Sequence, residues 1–296
     1  MKKNNSLTGI IPPIVTPFDQ NGNIDKDIFR REVRHLISCG VHGLSPGGST
    51  GEGAALTDEE LTTLIHIIKE ENTKRLPIVA GVIRTSTQAA VKTALAAKVA
   101  GANALMVTPV FYNVLVPDEK GNYSFYKAIS DAVGLPIIIY NVVPQNEITS
   151  EAFSRLLEIP NVVGIKQSVG GIMACYDMVI ANGDRGMIYA ATDEMLYSTF
   201  DIGADGAISA ILSLFPRLCV KMWDLAKAGC NGEAIAIQNK VYPIWKTVRG
   251  PQFPARMKAA LKLMGRDCGY SRSPMSEVTE AQVDQMKILL EHVRDE

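Results

Sequence analysis

Lys166 ends a short apolar run, and a lysine in that position can act as a nucleophile. The run, Val-Val-Gly-Ile at 162–165, is continuous rather than alternating, which is typical of a parallel strand buried on both faces. In a poorly solvated pocket the neutral amine is favoured over the ammonium, and a neutral amine forms an imine with a ketone. A lysine at a strand end is more often exposed to solvent, so other residues must decide between these interpretations.

Two tyrosines also follow apolar runs. Tyr140 ends the run Ile-Ile-Ile at 137–139, and Tyr112 follows the run that ends in Thr-Pro at 108–109. Near an imine, a phenol can transfer the protons that the carbinolamine needs in order to lose water. Tyrosines at strand ends are more often packing residues, and the residues alone leave this alternative open.

A glycine-rich segment, Gly-Gly-Ser-Thr-Gly-Glu-Gly at 47–53, follows another apolar run. Its glycines let the backbone turn sharply and present successive N–H groups to an anion such as a carboxylate or phosphate. The segment lacks the lysine that a phosphate-binding loop has after its last glycine. The alternative is a flexible loop without a ligand.

Other kinds of chemistry and other partners find little support. The histidines form no H-x-x-H pair and no Gly-x-Ser-x-Gly elbow occurs, so neither a metal site nor a serine hydrolase is predicted, and we expect no cofactor. Lysine and arginine (30) nearly balance aspartate and glutamate (31), which argues against nucleic acid and anionic membranes as partners. The five cysteines are scattered without a C-x-x-C pair, and the chain carries no evident targeting segment, which together favour a cytoplasmic protein.

Strand-like and helix-like segments alternate through the first two thirds of the chain. Eight apolar runs are candidate strands: Gly9–Ile14, Gly43–Ser45, Pro77–Ile83, Ala104–Thr108, Pro136–Val142, Val162–Ile165, Met187–Ala190 and Gly206–Ala210. The segments between them have helical periodicity, as at 61–68 behind a capping box formed by Thr57 and Glu60. Such alternation requires parallel strands with helical crossovers.

We therefore predict an α/β fold, a (β/α)8 TIM barrel with a C-terminal three-helix extension. The seven intervals between residues 9 and 206 average about 28 residues, which fits a barrel of roughly 250 residues. A doubly wound sheet is the alternative, but no G-x-G-x-x-G follows the first strand. Residues 1–230 are predicted to form the catalytic barrel and residues 231–296 a helical domain. The active site of such a barrel lies at the carboxyl ends of its strands.

Five motifs stand in the order and at the spacing found in the dihydrodipicolinate synthase and N-acetylneuraminate lyase family, which the chain resembles from about residue 7 to residue 220. They are Gly48–Glu52, Thr108–Pro109 with Tyr112–Asn113, Tyr140–Val142, Gly164–Lys166 and Gly206–Ser209. The resemblance implies a class I aldolase or lyase that forms a Schiff base with pyruvate or another 2-keto acid. Its second substrate would be an aldehyde.

The resemblance also implies catalytic roles. Lys166 would form the Schiff base, and Tyr140 would protonate and deprotonate the substrate. The hydroxyl of Thr50 would relay protons between Tyr140 and Tyr112. In the family the equivalent of Tyr112 reaches across a dimer interface into the neighbouring site, so we expect a homo-oligomer, either a dimer or a homotetramer built as a dimer of dimers.

Substrate-binding residues follow from the same resemblance. Ser49 and the backbone of Thr50 would bind the carboxylate of the keto acid. Gly48 and Ile208 complete the predicted substrate-binding set.

Three departures from the family pattern concern the second substrate. True synthases have an arginine after the fifth predicted strand that binds the carboxylate of the aldehyde, and here Asn146 or Glu147 falls near that position. Ser49 replaces the usual threonine, and Ala190–Asp193 replaces a glycine-containing turn. The alternatives are therefore a 2-keto-3-deoxy sugar acid aldolase or dehydratase of the same family and, in another class, a non-catalytic keto-acid binding protein.

Overall fold

Seven parallel strands form the centre of the molecule. The computed structural model describes residues 5–293. The strands are β1 Gly9–Ile10, β2 Val79–Val82, β3 Ala104–Val107, β4 Ile137–Asn141, β5 Val162–Gln167, β6 Met187–Ala190 and β7 Gly206–Ala207. They lie in the order β1-β7-β6-β5-β4-β3-β2, and every pairing is parallel.

The predicted strand at 43–45 is present as a bridge between the two edges of this sheet rather than as a regular strand. Ser45 pairs with Pro13 and Leu44 pairs with Ile78, both in parallel. The N–H of Leu44 donates to the carbonyl of Pro77 at 2.9 Å, and the N–H of Ser45 donates to the carbonyl of Pro12 at 3.0 Å. Pro12, Pro13, Pro46 and Pro77 lack the N–H that a regular ladder needs, which explains why the segment pairs through single bridges rather than as a strand. The segment nevertheless closes the predicted barrel.

Helices cover the outside of the barrel. Those within residues 5–293 are α1 Lys26–Ser38, α2 Asp58–Glu71, α3 Thr87–Ala100, α4 Glu119–Val133, α5 Ser150–Leu156, α6 Gly171–Asn182, α7 Leu196–Asp201, α8 Ile211–Leu214, α9 Pro216–Lys227, α10 Asn231–Val248, α11 Phe253–Leu263 and α12 Glu280–Glu291. The capping box predicted at Thr57 and Glu60 begins α2, and a second begins α12 at Thr279 and Gln282. None of these helices has both the length and the apolar character of a membrane span.

Apolar side chains fill three regions around the strands. One cluster lies inside the barrel and includes Tyr140, Tyr189 and Ile208. A second lies between the sheet and α1 to α6. Because the strands are thus buried on both faces, they appear in the sequence as continuous apolar runs.

The third cluster joins the C-terminal helices to the barrel. It contains Leu218 and Met222 of α9 together with Ile237 and Val241 of α10. The predicted three-helix extension is therefore α10 to α12, packed against the last helices of the barrel. The domain boundary at residue 230 stays a prediction, because this cluster continues across it.

Candidate active site

Lys166 and Tyr140 lie side by side at the carboxyl ends of neighbouring strands. They are partners in the register of β4 and β5, and both are buried, with 4% and 5% of their surface exposed. Nζ of Lys166 lies 3.6 Å from the centroid of the Tyr140 ring. Among the described residues, no hydrogen bond or ion pair reaches this nitrogen, so its packing on the ring positions it.

A second tyrosine flanks Lys166 from the other side but points elsewhere. Tyr189 is the register partner of Lys166 on β6. Its hydroxyl donates a hydrogen bond to the carbonyl of Leu7 at 2.8 Å, and burial raises its pKa strongly. Tyr140 is therefore the phenol available to chemistry at Lys166.

The glycine-rich loop packs directly beside this pair. The hydroxyl of Tyr140 donates to Oγ of Ser49 at 3.2 Å, and Ser49–Gly51 forms a single 3-10 turn. A Cβ on Gly53 would lie only 1.7 Å from the carbonyl oxygen of Gly47, so the backbone closes on itself and requires glycine there. The loop is packed rather than open, which argues against the flexible alternative.

The other predicted substrate-binding residues lie in the same region. Thr50 is buried within the loop, and a Cβ on Gly48 would approach the Met106 side chain at 3.1 Å. Ile208 follows β7 and belongs to the cluster inside the barrel that also contains Tyr140. The fold thus brings Lys166, Tyr140 and Ser49 into contact and gathers Gly48, Thr50 and Ile208 around them.

Tyr112 is the predicted catalytic residue that does not join this group within one chain. It lies on the loop after β3, is 56% exposed, and its hydroxyl makes no hydrogen bond in the described part of the chain. Phe111, Val114 and Leu115 on the same loop are also exposed.

A buried ion pair that the sequence did not single out anchors the glycine-rich loop. Glu52 has a left-handed backbone with φ 55°, and its carboxylate accepts a hydrogen bond from Nζ of Lys258 at 2.7 Å. The Lys258 side chain is 3% exposed and also donates to the carbonyl of Tyr270 at 2.5 Å. Burial lowers the pKa of Lys258, and the charge of Glu52 opposes this. Helix α11 thereby holds the loop that carries Ser49.

Replacement of Lys258 by methionine should destabilise the protein by about 3–5 kcal/mol, because the Glu52 carboxylate would stay buried without its partner. Urea unfolding at pH 7 measures this. The matched control is Lys262→Met on the same helix, where the lysine side chain is 70% exposed and its ion pair with Asp267 contributes at most about 1 kcal/mol. Equal losses for the two variants would contradict a stabilising role for the buried pair.

A second buried carboxyl group lies near Lys166. Asp193 follows β6 and accepts a hydrogen bond from the N–H of Ile211 at 2.6 Å. Burial raises its pKa to about 6, while the Ile211 N–H and the positive charge of Lys166 lower it. The sequence marked this position only as an altered turn, since burial of one aspartate cannot be read from its neighbours.

The raised pKa of Asp193 predicts a pH dependence of stability. Since the folded state holds this proton more tightly than the unfolded chain, the free energy of unfolding should fall as the pH rises from about 4 to about 6, by up to ~3 kcal/mol. Asp193→Asn should remove this part of the slope, because asparagine does not titrate but can still accept the Ile211 N–H. Urea unfolding of both proteins across this range tests it, and identical slopes would contradict it.

In the loop after β4, neither of the two residues expected near the position of the family's arginine, Asn146 and Glu147, lines the cavity beside Ser49. Asn146 turns inward, where its amide donates to the carbonyl of Val110 at 3.0 Å and accepts from the amide of Asn122 at 2.7 Å. Glu147 is exposed. Gln145, which the sequence analysis did not single out, lines a cavity that Ser49 also lines. This cavity has a volume of about 640 Å³.

Known proteins are similar to this chain over nearly its whole length. The model of the dihydrodipicolinate synthetase family matches residues 6–293. The 4-hydroxy-tetrahydrodipicolinate synthase of Methylobacterium radiotolerans is 35% identical over 276 residues, which cover 93% of this chain and 91% of the relative.

Two solved structures are similar over nearly their whole length. The chloride-inhibited dihydrodipicolinate synthase from Acinetobacter baumannii, complexed with pyruvate, is 31% identical with a TM-score of 0.91, covering 97% of this chain and 98% of that chain. CdNal from Clostridium difficile, in complex with mannosamine, is 26% identical with a TM-score of 0.87, covering 96% and 98%. The chain belongs to the dihydrodipicolinate synthetase family of lyases, as the resemblance in its motifs predicted.

Proposed function

We propose that the protein is a Schiff-base lyase that acts on pyruvate or a related 2-keto acid, with Lys166 as its nucleophile. The observation that carries this proposal is the buried amine of Lys166, 3.6 Å from the Tyr140 ring and without a hydrogen-bond or ion-pair partner among the described residues. The A. baumannii relative was solved with pyruvate, which supports the same substrate here.

The geometry supports a defined sequence of steps. The amine of Lys166 attacks the keto carbon, and the resulting carbinolamine loses water to give a protonated imine. Tyr140, hydrogen-bonded to Ser49, delivers and removes the protons of these steps. The imine withdraws electrons from the neighbouring carbon, so an enamine can form there without a metal.

The carboxylate of the keto acid would lie against the glycine-rich loop. Ser49 offers its hydroxyl and Thr50 its backbone N–H, and both lie close to Tyr140 because Ser49 accepts the phenolic hydrogen bond. Gly48 and Ile208 would form the adjoining wall, and the Thr50 hydroxyl would relay protons.

Exchange of the C3 protons of pyruvate in D2O tests the proposal, because exchange requires the enamine and needs no second substrate. We expect exchange that depends on the enzyme and on Lys166. A non-catalytic keto-acid binding protein, the alternative from another class, would bind pyruvate without exchange.

A second candidate is an aldolase or dehydratase for a 2-keto-3-deoxy sugar acid. It is favoured by Gln145, which puts a neutral side chain rather than a cation at the mouth of the cavity, and by the similarity to CdNal, solved with mannosamine. Assays with aspartate semialdehyde plus pyruvate against a set of keto-deoxy acids separate it from the synthase reaction.

We also propose that two chains complete each other's sites through Tyr112. The exposed apolar loop of Phe111, Tyr112, Val114 and Leu115 supports an interface between copies, as a dimer or as a homotetramer. The cytoplasmic location stays a prediction.

Mixing of two inactive variants tests the exchange of Tyr112. Chains with Lys166→Met and chains with Tyr112→Phe, unfolded together and refolded, should regain about a quarter of wild-type activity, since half of the dimers are mixed and each has one complete site. Mixed chains that regain no more than the average of the two variants would contradict the exchange.

A further inference from the structure

The cavity lined by Ser49 adjoins the Lys166 site, because Ser49 accepts the hydrogen bond of the Tyr140 hydroxyl. It is therefore the candidate space for a second substrate, although Lys166 and Tyr140 do not themselves line it. Its walls come from the glycine-rich loop, the loops after β3 and β4, and the connector between α11 and α12. Two charged residues, Glu52 and Arg272, line it within the described part of the chain. Whether these two charges already have partners within the protein decides whether the cavity can bind a charged substrate.

Both charges are already compensated inside the protein. The guanidinium of Arg272 forms two hydrogen bonds with the Glu60 carboxylate, donates to the carbonyls of Ala55 and Gly22, and lies 4.3 Å from the Phe18 ring centroid. The Glu52 carboxylate is bonded to Lys258 and to the backbone N–H of Arg272. A substrate carboxylate would therefore lose its water without gaining a free cation, which is costly.

The rest of the wall is mainly apolar. Its apolar members include Ile83, Phe111, Val142, Val143, Pro144 and Met275. Hydroxyl groups of Ser49, Thr108, Ser273 and Ser276 also line the cavity. Of these four, only Thr108, which is 2% exposed, has a buried Oγ1 without a hydrogen-bond partner among the described residues. A buried polar atom without a partner favours a ligand that supplies one, such as a carbonyl oxygen.

We propose that the second substrate is an uncharged aldehyde with a mainly apolar body, whose carbonyl oxygen accepts a hydrogen bond from Thr108. This inference rests on the proposed Schiff-base function. It excludes both a charged semialdehyde and a polyhydroxylated aldehyde as the second substrate.

The reaction needs no charge on the aldehyde. The enamine carbon of pyruvate supplies the electron pair of the new bond to the aldehyde carbon, and the carbonyl pair moves to the oxygen, which takes a proton from Tyr140. Water then hydrolyses the imine, which releases a 4-hydroxy-2-keto acid and restores the amine of Lys166. Cleavage follows the same steps in reverse.

A matched set of aldehydes tests the proposal. With pyruvate, the methyl ester of 4-oxobutanoate should be used with a kcat/KM at least tenfold above that of 4-oxobutanoate itself and of D-glyceraldehyde. A smaller ratio, or a preference for the acid or for glyceraldehyde, overturns the inference. If none is turned over, methyl butanoate should slow the C3 exchange of pyruvate at lower concentration than butanoate does, and failure to do so overturns it as well.

Gln145 allows a gain of function with a matched control. Gln145→Lys puts an ammonium at the cavity and should shift the ratio at least tenfold toward 4-oxobutanoate, whereas Gln145→Met should keep the wild-type ratio. An unchanged ratio in Gln145→Lys also counts against the cavity as the aldehyde site. Trapping of the pyruvate imine by borohydride is measured in parallel. If no adduct forms, the proposed Schiff-base function fails. If the adduct forms but the charged or the hydroxylated aldehyde is preferred, only the inference about the second substrate fails.

Discussion

Replacement of Lys166 by methionine should lower turnover of the 2-keto acid by at least about 10³-fold, which corresponds to about 4 kcal/mol of transition-state stabilisation. The reason is that methionine fills the space beside Tyr140 but cannot form an imine, so the step that creates the electron sink is lost. Steady-state kinetics with purified protein measure the effect, and a thermal unfolding curve establishes that the variant is folded.

Two further lysine variants test whether the loss of turnover is due to the nucleophilic amine of Lys166. Lys166→Arg keeps the positive charge near Asp193 and should be as inactive as Lys166→Met, because guanidinium is always protonated and is a poor nucleophile. Lys262→Met removes an exposed lysine and should leave turnover within about twofold of wild type. A folded Lys166→Met enzyme that keeps a tenth of wild-type activity would refute the nucleophilic role.

Replacement of Tyr140 by phenylalanine should lower kcat by about 10²–10⁴-fold, the usual contribution of a positioned acid or base. The ring remains and can still pack against the Lys166 amine, while the hydroxyl that is bonded to Ser49 is lost. We therefore expect imine formation to become slow while the affinity for pyruvate changes little. Stopped-flow measurement of imine formation, beside kcat and KM, separates the two effects.

Tyr189→Phe is the matched control, since this tyrosine flanks Lys166 from the opposite strand. Its hydroxyl is bonded to the Leu7 carbonyl, so its loss should cost about 0.5–1.5 kcal/mol of stability and leave kcat within a few fold. Equal losses of kcat in Tyr140→Phe and Tyr189→Phe would contradict a specific role of the Tyr140 hydroxyl in proton transfer.

The sequence predicted those parts of the fold that depend on local patterns. The barrel followed from the alternation of apolar runs with helical segments, and the predicted capping box at Thr57 marks the start of α2. The contact between Lys166 and Tyr140 was also predictable, because the ends of adjacent parallel strands meet at one face of a barrel.

The features that escaped prediction depend on contacts between distant segments. Glu52 and Lys258 are 206 residues apart, and neither has a neighbour in the chain that reveals their buried pair. The hydrogen bond of the buried Asp193 carboxyl group likewise comes from Ile211 of α8, which is 18 residues further along the chain. Asn146 turns inward because Asn122 of α4 donates a hydrogen bond to it. The sequence therefore pointed to Asn146, whereas its neighbour Gln145 is the residue that lines the cavity.

The central claim, that Lys166 is the nucleophile, is tested most directly by the position of a trapped substrate. The protein is incubated with pyruvate and borohydride, digested, and mapped by mass spectrometry. The account predicts one reduced pyruvate adduct, on the side chain of Lys166, which is absent without pyruvate. Active enzyme whose Lys166 peptide keeps its unmodified mass across a panel of 2-keto acids, or an adduct on another lysine, would contradict the account.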